Sequence, residues 1–146
     1  MGKLKEKYFT EGIRYFSKII AKEAPFCIIE CADEATPESA SAATEKQIRN
    51  VEGERILSQL KSDDYVIALC IDGVKQSSER FFQKLRLTMR RLSNNANVVF
   101  IIGGSLGLSD AVVKRANERI SFSNMTFPHQ LMRLILCEQL AKYLKI

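Results

Sequence analysis

Two apolar runs without polar alternation constrain the fold of this chain more than any other feature. They are Tyr65–Cys70 and Val98–Ile102, and each is long enough for a single strand. A strand with apolar residues on both sides must be covered on both faces, as in parallel sheets that lie between helices. Because segments with helical apolar spacing alternate with these runs, the sequence predicts an α/β fold with an open, mostly parallel sheet.

The remaining elements follow from the same periodicity and from turn and capping residues. Ser77 and Ser109 stand where their side chains would cap the N-terminus of a helix. Helices are predicted over residues 4–22, 45–60, 78–92, from 110 onward and 128–144, strands also over 26–31 and 120–123, and a turn at Asp72-Gly73. No repeat or linker divides the chain, so we expect one domain that spans residues 1–146.

Charge and hydropathy limit the partners and the compartment. The net charge of +5 is compatible with a polyanionic partner but does not identify one. No apolar run approaches the roughly 18 residues that span a membrane, and the N-terminus lacks the apolar stretch of a signal peptide. We therefore expect a cytoplasmic protein without a membrane partner.

Six basic side chains could contact phosphates, although a solvated helix face explains them equally well. They are Lys84, Arg86, Arg90, Arg91, Arg115 and Arg119.

The four cysteines do not form a metal-binding pattern. Cys27 and Cys31 have a CxxxC spacing, but no second pair and no nearby histidine completes a zinc set. Cys70 and Cys137 stand far from them. We expect no metal site, and four reduced cysteines rather than a disulfide.

A glycine-rich block, Gly103–Gly107, follows the strand Val98–Ile102 directly. Ligands of open α/β sheets bind beyond the carboxyl ends of the strands, where glycine allows close approach to the backbone. A tight strand-to-helix turn would explain the same residues. The block is not GxGxxG and no acidic ribose partner follows at the usual distance, which disfavours an ordinary Rossmann nucleotide-binding protein.

The segment 121–130 contains hydroxyls, an amide and the single histidine. Nothing in it forms a set of nucleophile, base and acid. His129 is a candidate general base or phosphate contact, but a histidine near a helix start more often only hydrogen-bonds the backbone. The final helix that follows is apolar on two sides, so its second cover is either a second subunit or another element of the same chain.

Several of these segments occur together in a distinctive order. They are KLKEKY (3–8), EGERIL (52–57), VIAL (66–69), SSE (77–79), IGGSLG (102–107), FSNMTFPHQ (122–130) and EQ (138–139). In this order and spacing they resemble the ribosomal RNA large-subunit methyltransferase H family of the SPOUT class, over nearly the whole chain. The blocks 102–107 and 122–130 are the most specific part of the resemblance.

The resemblance implies a trefoil knot in the C-terminal part of the sheet, a homodimer, and S-adenosylmethionine bound in the knot. It also implies methyl transfer to N3 of a pseudouridine in the 23S rRNA of the assembled ribosome, with no metal. The cofactor contacts that it implies are Leu69, Gly103, Gly104, Phe122, Ser123, Asn124, Met125, Thr126 and Phe127.

The chain also departs from the family pattern. The family has a strand before KLKEKY and a tail that closes with Tyr-His and a basic residue, and we expect both to be missing here. Ala141-Lys142 replaces the usual Tyr-Arg, and Cys70 replaces a common acidic residue. These differences leave an alternative, a catalytically impaired dimeric SPOUT module that binds cofactor or RNA without methyl transfer.

Overall fold

The computed structural model describes residues 7–93, 95–104 and 106–145. Helices and strands alternate from the second helix onward, as the sequence predicts. In chain order the elements are α1 (Lys7–Glu23), α2 (Ala42–Leu57), β1 (Tyr65–Lys75), α3 (Ser78–Arg91), β2 (Val98–Ile102), α4 (Asp110–Arg115), β3 (Glu118–Ser121) and α5 (His129–Lys145).

The strands form a three-stranded parallel sheet in the order β2-β1-β3. The central strand β1 is paired on both sides, with Tyr65 opposite Val98 of β2 and Ile67 opposite Glu118 of β3. This arrangement confirms the prediction of a parallel α/β sheet.

Helices cover both faces of the sheet because the side chains of β1 alternate between two hydrophobic clusters. Ile67 and Leu69 pack with residues of α1, α3 and α5, whereas Val66 on the opposite face packs with α2 and α4. Val66 and Ala68 have no exposed surface. The uninterrupted apolar run of β1 is therefore explained by burial on both faces.

Serine hydroxyls cap three of the helices. The Oγ atoms of Ser41, Ser77 and Ser109 accept hydrogen bonds from backbone N–H groups three residues later, at 3.1, 3.2 and 3.3 Å. Each bond satisfies a donor that has no partner inside the helix. The predicted caps at Ser77 and Ser109 are confirmed, and α2 begins three residues earlier than predicted, after Ser41.

The prediction of a strand at 26–31 is wrong. A strand requires a hydrogen-bonded neighbour, and within the described part of the chain this segment pairs with none. Side chains hold it instead, because Phe26 packs against the larger cluster and Glu30 forms an ion pair with Arg133 of α5. Ile28 and Ile29 are exposed, so apolar composition alone misidentified this segment.

The predicted turn at Asp72-Gly73 is also wrong, because β1 continues to Lys75 through an irregularity in its pairing with β3. Both Leu69 and Val74 are opposite Ile120, so the intervening residues bulge out of the ladder. A Cβ atom at Gly73 would lie 2.6 Å from the Ile120 carbonyl carbon. Only glycine allows the two backbones to approach so closely.

The final helix α5 packs mainly against α1. Leu136, Cys137, Leu140 and Ala141 are buried there, so one apolar side of α5 is covered within the same chain. Residues 131, 132, 134 and 135 remain half-buried. No helix among the described residues is long and apolar enough to cross a membrane.

Asn117 connects the start of β1 to β3, and its replacement by alanine should destabilise the protein. Its Oδ1 accepts from the backbone N–H of Val66 at 2.8 Å, and its own N–H donates to the Val66 carbonyl at 2.8 Å. Asn117→Ala leaves the buried Val66 N–H without an acceptor. We expect a cost of about 1–3 kcal/mol, and hence a melting temperature lower by about 3–10 °C, in thermal unfolding followed by circular dichroism. Asn117→Asp keeps an acceptor oxygen and should lose less than half as much; equal losses in both variants would contradict this role.

Gly53 lies where α2 packs against the start of α4, and its replacement should be unfavourable although alanine favours helices. A Cβ at Gly53 would overlap Ser109 Oγ and would lie 3.3 Å from Val112 Cγ2. In Gly53→Ala, overpacking should lower the free energy of unfolding by about 1–3 kcal/mol, and damage to the Ser109 cap by about 1 kcal/mol more. Together these costs should exceed the gain of about 1 kcal/mol from the higher helix propensity of alanine. Urea unfolding should show a lower midpoint. Asn50→Ala, at an exposed position of the same helix, is the control and should not lower it; stabilisation by both changes would refute the explanation.

Candidate functional site

β2 ends at the level of Leu69, an interior residue of the longer central strand β1, and β3 ends one residue beyond that level. Leu69 is opposite Ile102, the last residue of β2, and opposite Ile120 near the end of β3. Gly103 and Gly104 follow Ile102 directly, and Phe122 follows the last residue of β3. The structure therefore brings the beginnings of the three predicted cofactor segments to the same edge of the sheet, the usual ligand site in open α/β folds.

The glycine block forms a tight turn. Gly104 accepts a hydrogen bond from the Gly107 N–H at 3.1 Å, and Gly107 has a φ of 81°. A Cβ at Gly103 would lie 2.9 Å from Leu108 Cδ2 and 3.0 Å from the Gly107 carbonyl carbon. The turn itself therefore requires glycine at 103 and 107, while Ser105 lies outside the described residues. A side chain at Gly107 would meet nothing within 4 Å, so the tip of the turn is open.

The segment 122–127 is anchored at its first residue and exposed in its middle. The Phe122 ring meets the Phe81 ring edge to face, with centroids 6.2 Å apart. Ser123 shapes the next turn, because its Oγ accepts from the Met125 N–H at 3.0 Å and its carbonyl accepts from Ser121 Oγ at 2.9 Å. Asn124, Met125 and Thr126 are exposed, and Phe127 is half-buried. Most of this predicted segment therefore presents backbone and polar groups to the solvent.

His129 is the first residue of α5 and is half-buried. Its burial, with Arg133 acting in the same direction, lowers the pKa of the His129 ring below the ordinary value, against a weaker opposing effect of Asp33. Arg133 is itself buried and forms an ion pair with Glu30 at 3.7 Å. The His129 ring is therefore neutral at pH 7, with one nitrogen able to accept a proton.

Cys70 follows Leu69, and its thiol is weakly reactive. Its burial, reinforced by the negative charge of Asp72, raises the pKa of the Cys70 thiol. The protonated thiol is a weak nucleophile and a poor metal ligand. In the part of the chain that the structure describes, no group of three or more His, Cys, Asp or Glu side chains is placed to hold a metal ion.

The predicted basic side chains other than Arg86 fall into three groups. Arg115 donates to the carbonyls of Lys61 and Asp64 at 3.0 Å each, so its role is structural. Lys84 and Arg119 form ion pairs with Glu118 and Asp72. Arg90 and Arg91 are exposed near the end of α3. These contacts leave the end of α3 as the part of the predicted patch best placed for phosphates.

A cavity of about 180 Å³ lies beside Phe122, between the start of α3, the end of β3 and α5. Its polar lining consists of Gln76, Ser77, Ser78, Ser121 and Gln139, and its apolar lining of Phe81, Ile120, Phe122 and Ile135. Leu69 and the glycine turn do not line it. The cavity therefore adjoins the predicted cofactor segments without including most of them.

The sequence predicts only a helix start at Ser77 and Ser78, and this cavity is not among the predicted sites. Three polar residues, Gln76 to Ser78, nevertheless follow the end of the central strand. Ligands of open sheets bind beyond the ends of the strands, so these polar residues were the sequence feature that could have indicated the cavity. The participation of Gln139 depends on how α5 packs, which spacing alone does not determine.

Comparison with known proteins shows the family. The family model described as "Predicted SPOUT methyltransferase" matches residues 1–146. A protein of Bacillus pumilus named ribosomal RNA large subunit methyltransferase H is 51% identical over 148 residues, covering 100% of this chain and 91% of the relative. Proteins of the same name from Listeria monocytogenes (49% identity, 100% and 91% coverage) and Pediococcus pentosaceus (51%, 96% and 87%) are similarly close. With its whole length matched and its strand ends and glycine turn arranged around Leu69, the chain belongs to the SPOUT methyltransferase family.

Proposed function

We propose that this protein is an S-adenosylmethionine-dependent rRNA methyltransferase. Its acceptor is N3 of a pseudouridine in the 23S rRNA of the assembled ribosome, and its location is cytoplasmic. The observation that carries the proposal is the identity of about half of all residues, over the full chain, to relatives named for methylation of large-subunit ribosomal RNA. The ends of β2 and β3 near the level of Leu69 support it, because ligands of open α/β sheets bind beyond the carboxyl ends of the strands.

The proposed cofactor site consists of Leu69, Gly103, Gly104 and residues 122–127. Leu69 and Phe122 are apolar, and the tip of the glycine turn exposes its backbone. The polar groups of residues 124–126 are exposed to solvent. Apolar side chains with a few backbone donors and acceptors are the kind of groups that bind a nucleoside. The site therefore suits S-adenosylmethionine, which supplies an electrophilic methyl group when bound.

The remaining chemistry consists of positioning and proton transfer. The chain has to hold the acceptor nitrogen in line with the methyl group, and such positioning contributes a large share of the rate. The N3 proton must leave as the new N–C bond forms, so a base is needed nearby. We assign this role to His129, which lies two residues after the proposed cofactor segment and has a neutral ring.

The trefoil knot and the homodimer are part of the proposal. In the knotted arrangement the chain after β3, including residues 122–128, would pass through a loop before entering α5. A second subunit would cover half-buried residues of α5 that lie outside the cluster with α1, such as Leu131. Exposed Tyr8 and Tyr15 of α1 would extend that apolar surface.

Calorimetric titration with S-adenosylmethionine tests the cofactor, and transfer of a labelled methyl group tests the reaction. We expect saturable binding at one site per chain, and label at N3 of a single pseudouridine in ribosomes from a strain that lacks its own enzyme of this family. Ribosomes from the parent strain, already methylated, are the control and should accept no label. A folded chain that binds no S-adenosylmethionine would overturn the proposal, and binding without transfer would instead establish the impaired module.

Replacement of His129 tests the assignment of the base. Because burial lowers the pKa of His129 below 6.5, the wild-type rate should be constant near pH 7 and should fall only at a pH below 6.5, where the ring takes up a proton. His129→Gln should reduce the rate by about 10²–10⁴-fold and should abolish the acidic limb of the pH profile. The affinity for S-adenosylmethionine, measured in parallel, should change by less than about threefold; an equal loss of affinity would indicate a structural role, since a base contributes to the reaction and not to cofactor binding.

A further inference from the structure

The cavity beside Phe122 has a chemically distinctive lining. Its polar groups are amides and hydroxyls, and none of its lining residues is charged. A phosphate or a carboxylate would call for arginine or lysine at such a site. A neutral ligand with its own donors and acceptors matches amides and hydroxyls better, because every buried polar group then finds a partner.

The side-chain amide of Gln76 has a donor that lacks a hydrogen-bond acceptor. Its Nε2 atom is buried and, within the described part of the chain, has no hydrogen-bond partner. A buried donor without an acceptor is unfavourable, and Gln76 is one of the residues that line the cavity, so a ligand oxygen toward which its amide can turn would satisfy it. The carbonyl groups that flank an imide nitrogen, as in a uracil-type ring, are acceptors of this kind.

The apolar walls favour a flat ring. Phe81 and Phe122 meet at 88° with centroids 6.2 Å apart, and Ile135 of α5 lines the cavity with them. Aromatic and aliphatic walls of this kind hold bases that have been turned out of a nucleic-acid stack. The volume of about 180 Å³ is below the roughly 300–1,000 Å³ of pockets for larger small molecules, so it suits one ring rather than a whole cofactor.

We propose that this cavity receives the acceptor base, a uracil-type ring turned out of the RNA, with Gln76 donating a hydrogen bond to a ring carbonyl. This inference rests on the proposed function. An enzyme that modifies a base atom must withdraw the base from its stack, and the cavity adjoins the first residue of the proposed cofactor loop. α5 contributes Ile135 and Gln139 to the lining of this cavity.

The test obstructs the cavity without altering the cofactor segments. Ser78 is exposed at the start of α3 and lines the cavity, whereas its neighbour Glu79 is exposed and does not. Ser78→Trp should fill the entrance, and Glu79→Trp places the same side chain outside it. With ribosomes lacking the modification as substrate, we expect Ser78→Trp to lower kcat/KM by at least about tenfold, mainly through KM, and Glu79→Trp to stay within twofold of wild type.

A second variant removes the hydrogen bond and keeps the size. Gln76→Leu should lower kcat/KM about tenfold, because the ring carbonyl loses its donor. Gln47→Leu, at an exposed position of α2, is the matched control and should have no effect. Thermal unfolding checks that each variant is folded, and Gln76→Leu decides the question if the tryptophan at position 78 prevents folding.

Binding of S-adenosylmethionine to every variant separates the possible outcomes. Lower kcat/KM at unchanged cofactor affinity supports the base site. Parallel loss of cofactor affinity would assign the cavity to the cofactor, and wild-type kcat/KM in Ser78→Trp and Gln76→Leu would exclude the base; either result overturns the inference while the proposed function stands. Absence of transfer by the wild-type protein would refute the proposed function, and the inference with it.

Discussion

Burial of β1 on both faces is the constraint on which the rest of the structure depends. Its side chains supply both hydrophobic clusters, and its backbone pairs with β2 and β3 at once. A central strand of this kind cannot shift by one residue, because every apolar side chain would then exchange faces. The bonds between Asn117 and Val66 fix the register at its first residues. All five helices are positioned relative to this strand.

The same register produces the candidate site. Because Leu69 is opposite Ile102 and Ile120, the chain leaves β2 and β3 at one level of the sheet. The glycine turn and the 122–127 segment therefore leave the sheet at the same level, on either side of β1. The bulge in β1 carries the chain from Leu69 to Gln76, so a third loop, which begins α3 at Ser78, reaches the region of Phe122. The separation of the proposed cofactor residues from the neutral cavity follows from these three loops.

Sequence reasoning predicted the parts of the fold that local patterns determine. The uninterrupted runs at 65–70 and 98–102, and the serines at 77 and 109, specify burial and capping through neighbouring residues alone. It failed where the outcome depends on distant partners: residues 26–31 have strand composition but no strand to pair with, and Gly73 serves a bulge against Ile120. The predicted cofactor residues came from resemblance to a family, because no spacing rule shows that the chain enters the glycine turn at the level of Leu69. The cavity at Gln76 and Gln139 was missed for the same reason.

The close packing of Gly53 against Ser109 has a consequence for ligand binding. Leu108 and Ser109 directly follow the glycine turn, and Ser109 is held between its own helix start and the backbone of α2. The residue that follows the turn is therefore held by a helix some fifty positions earlier in the chain. Because folding already fixes the point where the chain leaves the turn, binding at this edge has a smaller entropic cost. A glycine remote from the chemistry thus belongs to the preorganisation of the binding surface.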